Sequence, residues 1–430
     1  MASWEEDQWT SSIESGLPRS DRRSGTYRRY IPDLLMGSPL LLPRDVDDLV
    51  GKAEQAVRDL AGDPRDLAGI ARFLLRSEAI ASSKIEGIAP SVQQVALAEL
   101  GARETVPDIS AQAQLVANNM TVLHAARTVL VDAPAVTLDH LTDLQAALLP
   151  DEQHHHGIRT EQNWIGGSDY HPLAADFVPP PPGKVPMLMD DFVGYLNSSG
   201  HSPIVQAGLA HAQFETIHPF ADGNGRVGRA LIHTVLTRRG LTPDSVLPVS
   251  LVLSTLRARY IAGLTAYRHS QPVGSDGFHA AHAGWLRIFA SAVITASDQA
   301  GQLAAEMANL RDEWEGRLEH ARATQGKVRG VRRDSATALI IRDLPATPVL
   351  TSASVQRIHD VSHVAADRAL AELAEAGILT SKERRGVRYY VAPDVLEIVT
   401  LTERRLASSE FDTRISPPTR PVPALPDHLR

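Results

Sequence analysis

A glycine-rich stretch in the middle of the chain combines the residue types that bind and transfer phosphate groups. It reads His218-Pro219-Phe220-Ala221-Asp222-Gly223-Asn224-Gly225-Arg226-Val227-Gly228-Arg229. Gly223 and Gly225 allow the backbone to turn tightly and leave its N–H groups open to an anion. The helical pattern from Gly225 to about Arg239 places a helix N-terminus at this turn, where a phosphate is favoured.

The charged side chains of this stretch supply the rest of the chemistry. Arg226 and Arg229 are three residues apart and share a helix face, from which guanidinium groups can bind phosphate oxygens in pairs. Asp222 is a hard oxygen ligand suited to Mg²⁺ that bridges phosphates. His218 can accept a proton near neutral pH. The residues therefore predict transfer of a phosphate-containing group, with His218 as the general base.

Helical patterns surround this stretch on both sides. Between Asp45 and Ala61, apolar residues recur at steps of three and four and line one face. They are Val46, Leu49, Val50, Ala53, Val57 and Leu60. Further helices are predicted over 111–131, 138–149, 186–197, 203–217, 226–239, 250–267 and 277–320, the last with a break. The pattern is interrupted from Gly157 to Pro182, where 162–168 is typical of a short strand entering a turn and four consecutive prolines end the segment.

The composition is that of an ordinary globular protein. Of 430 residues, 43% are hydrophobic and 22% are charged, and the net charge of −8 gives no global basic field that would favour nucleic acid. Cysteine is absent, which excludes disulfides, cysteine catalysis and zinc sites made of cysteine. The acidic, polar start is unlike a signal peptide, and no apolar run is long enough to span a bilayer. We therefore expect a cytoplasmic protein with no membrane partner.

Residues 218–229 resemble the signature of the Fic (Fic/Doc) family, H-P-F-x-[D/E]-G-N-G-R-x-x-R, at every position. The resemblance implies a protein adenylyltransferase that uses ATP and Mg²⁺ and moves AMP to a Tyr, Ser or Thr hydroxyl of a target protein. It assigns His218 as the base, Asp222 as the metal ligand, and Asn224 with the turn amides as the groups that stabilise the transferring oxygens. The implied nucleotide site comprises Asp222, Gly223, Asn224, Gly225, Arg226, Val227, Gly228 and Arg229, with Ile165, Gly166, Gly167, Ser168 and Tyr260.

Other functions stay open at this point. Members that phosphorylate, such as Doc, depart from the signature at the residues matching Gly225 and Arg226, and this chain does not. Transfer of another nucleotide, or removal of AMP with Glu86 positioning a water, would use the same site. A DNA-binding regulator of the winged-helix type is the further alternative, and the complete set of catalytic residue types argues against it.

A second motif lies far upstream, at Ser82-Ser83-Lys84-Ile85-Glu86-Gly87. It resembles the inhibitory motif of the family, [S/T]-x-x-x-E-[G/N], which begins at Ser82. The resemblance implies that Glu86 pairs with Arg229. A carboxylate in that place removes the partner of the γ-phosphate and repels the incoming anion. The alternative is a simple helix C-terminus with a solvated Glu86 and Gly87 as its cap.

The interrupted segment 157–182 lies where the family keeps a β-hairpin flap, which holds the target by adding a strand. Ile165, Gly166, Gly167 and Ser168 are the candidates there for contact with nucleotide or target, and an ordinary surface hairpin is the alternative. Tyr260 falls where the family often has a tyrosine near the adenine, although single aromatics on helices are more often core residues. Arg268 replaces an asparagine that some members carry, which leaves base selectivity open.

The remaining histidines favour structural interpretations. His154, His155 and His156 are consecutive, and three such imidazoles cannot all face one ion from a regular element, which favours an exposed loop. His211 lies on an apolar helix and is predicted to be a packed core residue.

Residues from about 335 to 395 read as two helices, a longer helix and a strand pair, which resembles a winged helix. Ser362 is predicted to cap the longer helix and Gly377 to end it. Lys382, Arg384, Arg385 and Arg388 at the hairpin could contact phosphate, whereas Glu372 and Glu375 on the presumed recognition helix favour protein contact. DNA and a homodimer partner both stay open.

We therefore expect a mainly α protein: a Fic-type helical core with a small β-hairpin flap, plus a C-terminal winged-helix (α+β) module. The predicted organisation is a flexible arm (1–30), an N-terminal helical region (31–110) with the inhibitory segment (82–87), a catalytic core (111–290) with the flap (about 157–182) and the motif (218–229), a helical linker (291–333), the winged-helix-like domain (334–400) and a disordered tail (401–430).

Overall fold

The computed structural model describes residues 1–12, 15–62, 67–198, 200–243, 246–326 and 330–411. The described chain is mainly α-helical, as predicted. In chain order the helices are α1 (Arg44–Ala61), α2 (Ala71–Ile85), α3 (Val92–Gly101), α4 (Ala111–Arg127), α5 (Val129–Asp132), α6 (Leu138–Leu148), α7 (Val185–Leu196), α8 (Pro203–Ile217), α9 (Asn224–Arg238), α10 (Val249–Thr255), α11 (Arg257–Tyr267), α12 (Asp276–Thr324), α13 (Ala336–Asp343), α14 (Ser352–His359), α15 (His363–Glu375) and α16 (Pro393–Phe411). No helix among the residues described here is both long enough and apolar enough to cross a membrane.

Two small antiparallel sheets accompany the helices. In the first, β1 (Ser3–Trp9) pairs with β2 (Gly25–Ile31), with Ser3 opposite Ile31 and Trp9 opposite Gly25. The second has the strand order β3–β5–β4, from β3 (Val349–Leu350), β4 (Thr380–Arg384) and β5 (Val387–Val391).

The first sheet corrects the expectation of a flexible arm over 1–30. The arm's scattered charges form cross-strand contacts: Arg29 on β2 bonds Asp7 on β1 at 2.5 Å and Glu5 at 3.4 Å. Tyr30 is buried against Ala2 and Phe177, so that one face of the hairpin packs on the segment before α7. A polar sequence can thus form a strand pair when one face finds an apolar partner.

The long helix α12 also departs from its prediction, because it runs from Asp276 to Thr324 without the expected break. Its buried residues continue through both halves, from Phe278 to Trp314 and Leu318. It packs on α1 and α11. In its second half Trp314 donates to Asp394 and Arg322 to Glu372 of the C-terminal elements, so packing partners are present well beyond the expected break. The predicted linker is therefore largely part of this continuous helix.

The C-terminal elements occur in the predicted order of helix, helix, longer helix and strand pair. Ser362 caps α15 by accepting a hydrogen bond from the Ala365 N–H, and Gly377 after it has the left-handed φ of +69°. The tail prediction is wrong for 401–411, which belong to α16, since apolar residues such as Leu406 pack inward there. The rest of the predicted tail lies outside the described residues.

The helix pair α8 and α9 lies at the centre of the molecule. Every residue of α8 is buried, and so are the residues of α9 from Asn224 to Leu236. The short loop that joins them carries the motif, so the most deeply packed pair of helices holds the residues with candidate chemistry.

Candidate active site

The loop between α8 and α9 begins and ends with left-handed residues. His218 follows α8 with φ +51° and donates its N–H to the Phe214 carbonyl at 2.8 Å. Gly223 precedes α9 with φ +87°, and a Cβ there would lie 2.8 Å from Leu148 Cδ2. A side chain at Gly223 would therefore be strained and obstructed, which explains the glycine and lets α9 begin at the loop.

Asn224 closes this loop. Its Oδ1 accepts a hydrogen bond from the Phe220 N–H, and its Nδ2 donates to the Phe220 carbonyl, both at 2.8 Å. Asn224 is buried. Its oxygen and one amide proton are thus committed to the backbone, which makes Asn224 a residue that shapes the loop; contact with transferring oxygens stays a prediction.

Arg159, which the sequence reasoning did not single out, ties the loop to the flap segment. This buried side chain donates from Nε to the His218 carbonyl at 2.8 Å and from Nη2 to the Pro180 carbonyl at 2.5 Å. Its backbone N–H bonds the Pro219 carbonyl. In the sequence, Arg159 is only a basic residue near the start of an irregular segment, and this does not indicate its hydrogen-bond partners.

The His218 side chain is 16% exposed, and its Nδ1 is buried with no hydrogen-bond partner among the described residues. Burial lowers the pKa of His218 to about 4; the carboxylate of Glu86 opposes this shift, while Arg159 and Arg268 add to it. The imidazole is therefore neutral near pH 7 and is able to accept a proton. Because Nδ1 is buried, Nε2 is the nitrogen that can meet a substrate.

Asp222 and Arg226 lie side by side at the start of α9. The Asp222 side chain is 51% exposed, and its Oδ2 lies 3.5 Å from Arg226 Nη2. The Arg226 residue is only 2% exposed, yet its Nε and Nη1 have no hydrogen-bond partner in the part of the chain described. Burial lowers the pKa of Arg226, against the attraction of Asp222 and Glu86. A buried guanidinium with open donors is a place for an anion, because such groups are otherwise paired.

Arg229, one helical turn further on, is fully engaged. Its Nη2 donates to Glu86 Oε1 and to the Ser82 carbonyl at 2.8 Å each, and its Nε donates to Ser82 Oγ at 2.9 Å. The structure thus brings Glu86 of the upstream motif into contact with Arg229 of the central motif, the pairing that the resemblance implied. Glu86 is the exposed member, with 38% of its side chain accessible against 1% for Arg229.

The Glu86 carboxylate sits directly over the first turn of α9. A Cβ at Gly225 would lie 2.0 Å from Glu86 Oε1 and 2.9 Å from Arg229 Nη1, so glycine is needed for this approach. Burial raises the pKa of Glu86, but Arg229, Arg226 and His218 together outweigh burial and hold the pKa below its usual value. Glu86 is therefore ionised at neutral pH. The alternative prediction of a helix end also holds locally, since α2 ends at Ile85 and Gly87 has φ +79°.

Buried polar contacts hold α2, which carries Ser82 and leads into Glu86. Glu78 on α2 and His233 on α9 are completely buried and 3.0 Å apart. Glu78 also accepts hydrogen bonds from the N–H and the hydroxyl of Ser250 on α10, at 2.8 and 2.5 Å. Asn119 on α4 donates to the Ala79 carbonyl at 3.1 Å. The helix is thus joined to three neighbouring helices.

Residues of the C-terminal elements also form hydrogen bonds and an ion pair with α2. Arg76 donates to the Pro345 and Ala346 carbonyls, at 3.3 and 2.7 Å, and Lys84 near the other end of the helix pairs with Glu403 on α16 at 2.7 Å. No local sequence pattern indicated these contacts, because they join residues about 270 to 319 positions apart.

The flap segment differs from the predicted hairpin. It contains no regular strand; isolated bridges join Ile165 to Phe177 and Ser168 to His171. Gly166 and Gly167 have φ of +74° and +77°, and a Cβ on them would lie 2.1 Å from Asp176 Oδ2 and 2.5 Å from the Ala174 carbonyl oxygen. Positive φ at two successive residues breaks a β ladder, so the segment folds back as a loop.

The four flap candidates contact the N-terminal hairpin and the rest of the flap. Ile165 packs with Ala2, Tyr30 and Phe177, and the Ser168 hydroxyl lies 3.4 Å from Asp21 Oδ1. Their contact with nucleotide or target stays a prediction.

Tyr260 is a core residue, which was the alternative to adenine contact. It is 4% exposed, its hydroxyl lies 2.9 Å from His211 Nε2, and its ring packs against His211 and Trp285. Burial lowers the pKa of His211 to about 3, and His211 is the predicted core histidine.

Of the three consecutive histidines, two converge with an acid. Ligand atoms of Glu152, His154 and His155 lie within 4.8 Å of one another, whereas His156 turns away to the Leu149 carbonyl at 2.7 Å. The three imidazoles do not share one centre.

Comparison with known proteins matches part of this amino-acid sequence to one family. Residues 135–236, which run from just before α6 into α9, match the model of the Fic/DOC family. The chain is 37% identical over 119 residues to "Protein adenylyltransferase Fic" of Drosophila virilis, covering 26% of this chain and 23% of that protein. It is 40% identical over 89 residues to the protein of the same name from Drosophila melanogaster, covering 20% and 16%. The chain thus spans about a quarter or less of the length of these relatives.

Among solved structures, a Fic family protein from Desulfovibrio desulfuricans G20 is 22% identical with a TM-score of 0.48, over 83% of this chain and 98% of that one. Fic-1 (aa134 - 508) from C. elegans is 22% identical with a TM-score of 0.46, over 61% and 72%. The family match and the curated relatives confirm the predicted resemblance to the Fic family over the segment that contains the motif.

Proposed function

We propose that this protein is an adenylyltransferase that moves AMP from ATP to a Tyr, Ser or Thr hydroxyl of a target protein. The observation that carries the proposal is the anion site at the start of α9. Arg226 is buried with two open donor nitrogens, and it lies beside a helix N-terminus and a neutral His218. These groups match the charge and the proton transfer that phosphate chemistry requires.

The proposed reaction needs one proton acceptor and a leaving group. The target hydroxyl gives its proton to His218 Nε2 while its oxygen bonds the α-phosphorus of ATP. The bond from that phosphorus to the oxygen bridging the β-phosphate breaks, and pyrophosphate leaves. Arg226, Arg229 and the backbone N–H groups of the turn hold the phosphate oxygens in position during transfer.

Asp222 is the residue that would hold Mg²⁺. Its side chain is about half exposed at the edge of the anion site, and its Oδ2 makes only a long contact of 3.5 Å with Arg226. A carboxylate oxygen in such a place suits the ion. When bound, Mg²⁺ would neutralise phosphate charge.

We also propose that the enzyme is autoinhibited by Glu86. Its carboxylate accepts a hydrogen bond from Arg229 Nη2 and lies over Gly225, where the terminal phosphate of ATP would bind. An incoming phosphate would meet both an occupied arginine and a like charge. Transfer therefore requires Glu86 to move, and its exposed position allows that movement.

Autolabelling with ATP that carries the label on its α-phosphate tests both statements. The wild type is compared with Glu86→Gly, with Glu86→Gln as the matched variant of equal length, and with Glu86→Gly/His218→Ala. We expect strong label in Glu86→Gly, less in Glu86→Gln, little in the wild type and none in the double variant. Equal labelling of wild type and Glu86→Gly would refute autoinhibition, and undiminished label in the double variant would refute the base.

Absence of label in every variant would reject AMP transfer from ATP, provided that ATP binding is measured in parallel. The same experiment with label on the γ-phosphate then distinguishes phosphorylation from AMP transfer. The other nucleoside triphosphates, offered in turn, identify a different donor.

A further inference from the structure

A second buried acid lies directly behind the proposed base. Glu215 is in the last turn of α8, three residues before His218, and it is 6% exposed. Its Oε1 is buried and has no hydrogen-bond partner among the described residues. A carboxyl group buried at a catalytic loop with open acceptor capacity calls for a functional explanation, because burial of such a group is unfavourable unless it is paired.

The nearest titratable nitrogen is His218 Nδ1, 3.9 Å from Glu215 Oε2. That nitrogen is also buried and makes no side-chain hydrogen bond within the described residues. The backbone of Glu215 also lies close enough to raise the pKa of His218. The backbone between them is well held, because Phe214 binds the His218 N–H and Arg159 binds the His218 carbonyl. A side-chain movement of about 1 Å would therefore complete a hydrogen bond between the two groups.

The charges around this pair come from every neighbouring element. Arg229 on α9 and Arg268 after α11 attract the Glu215 carboxylate, and Glu86 after α2 repels it. Arg159 of the flap segment and Arg268 oppose a charge on His218, while Glu86 favours one. The ionisation of Glu215 is thus coupled to the position of Glu86.

The position of Glu86 changes the pKa of Glu215 in a definite direction. Burial raises the pKa of Glu215 to about 7, Arg229 opposes the rise, and the negative Glu86 adds to it. Near neutral pH a fraction of Glu215 is therefore protonated while Glu86 is in place. Movement of Glu86 away from Arg229 favours the carboxylate, which is the form that accepts a proton bond from His218 Nδ1.

We propose that Glu215 is a positioning residue for His218: its carboxylate accepts the Nδ1–H of the imidazole and so presents the lone pair of Nε2 to the substrate hydroxyl. When the hydroxyl proton arrives at Nε2, the Glu215 carboxylate that accepts from Nδ1–H stabilises the positive charge on the imidazole. This role rests on the proposed transfer reaction. Because Glu86 affects both groups, its movement releases Arg229 and favours the Glu215 carboxylate at the same time.

The test measures His218 directly, without relying on activity. Full-length Glu86→Gly protein with ¹⁵N-labelled histidine is titrated by NMR, and the His218 signals are assigned by their loss in a His218→Gln variant. Three further changes are made in that background: Glu215→Met removes charge and acceptor, Glu215→Gln removes only the charge, and Glu215→Asp keeps the carboxylate on a shorter side chain. Glu152→Gln, which changes an exposed acid near Arg226, is the control.

We expect the Nδ1–H tautomer of His218 in the Glu86→Gly parent and in Glu215→Gln, and a mixture of tautomers in Glu215→Met. Autolabelling should fall about 10-fold in Glu215→Gln and about 100-fold in Glu215→Met, with partial recovery in Glu215→Asp and little change in the KM for ATP. The control should resemble the parent.

An unchanged tautomer of His218 near neutral pH in Glu215→Met would overturn the proposal. Slower labelling without a change of tautomer would also overturn it, because Glu215 would then act only as a distant counter-charge for the arginines. If Glu215→Met does not fold, Glu215→Gln decides: autolabelling at the parental rate there would equally contradict the positioning role. Absence of label in the Glu86→Gly parent, with the expected NMR result, would reject the transfer reaction and leave the pairing standing.

Discussion

The clearest quantitative prediction concerns Asn224→Ala. Asn224 bonds both the N–H and the carbonyl of Phe220 at 2.8 Å, but the carbonyl also accepts from Asn163 Nδ2 at 3.0 Å. The substitution therefore leaves one buried group, the Phe220 N–H, without a partner. Such a loss costs about 2 kcal/mol, which corresponds to roughly 30-fold faster local opening.

Hydrogen exchange followed by mass spectrometry on peptides covering 218–224 measures this opening. Asn224→Asp is the matched control, because its carboxylate still accepts from Phe220 N–H, and its exchange should rise only slightly. Peptides of α12 should not change in either variant. If Asn224→Ala exchanges at the parental rate but loses ATP binding, the side chain serves the nucleotide and not the loop, and the argument from its hydrogen bonds is refuted.

Three further predictions follow from contacts elsewhere in the fold. Asp108→Ala releases Arg384 and Arg385, which pair with Asp108 at 3.3 and 2.8 Å. Binding of random DNA, measured by gel shift at physiological salt, should therefore rise above the wild-type level. No rise would mean that these arginines do not form a DNA surface. Burial lowers the pKa of His211 to about 3 from an unfolded value of 6.5, so its neutral form stabilises the fold above pH 6.5, and that stability is lost as the pH falls toward 3. His211→Gln should therefore show a smaller drop in the urea midpoint between pH 6.5 and 4 than the wild type, and an equal drop contradicts this. Arg76→Met removes two hydrogen bonds to carbonyls of the C-terminal elements and the pairing with Glu99 on α3. Exchange over α2 should therefore quicken, and autolabelling should rise toward that of Glu86→Gly. Faster exchange without more label would show that α2 can loosen without releasing Glu86.

The candidate site illustrates how much a local pattern can predict. The residues of the motif are contiguous, so their spacing alone predicts an anion site at a helix start beside a histidine, and the structure confirms the helix start, with α9 beginning at Asn224. The pairing of Glu86 with Arg229 was also predicted, although only through resemblance, because nothing in the spacing of 143 residues brings the two together.

Several expectations failed where distant partners decide the outcome. The first 30 residues looked unstructured because they are polar, yet they form a strand pair that packs on Phe177. The break expected in α12 is absent because neighbours support both halves of the helix. The flap lacks strands because two glycines with positive φ fold it back, a conformation that the dipeptide permits but does not require.

The sequence by itself determined the helical architecture, the residues proposed to bind phosphate and the resemblance to the Fic family, because each of these depends on residue types at short, regular spacing. Only the tertiary structure decided that Asn224 holds the loop, that Tyr260 belongs to the core, that Glu215 faces His218 and that the C-terminal elements grip α2. Those outcomes depend on which groups are buried together. Burial sets pKa values and leaves polar atoms in need of partners, and it arises from contacts between residues far apart in the chain.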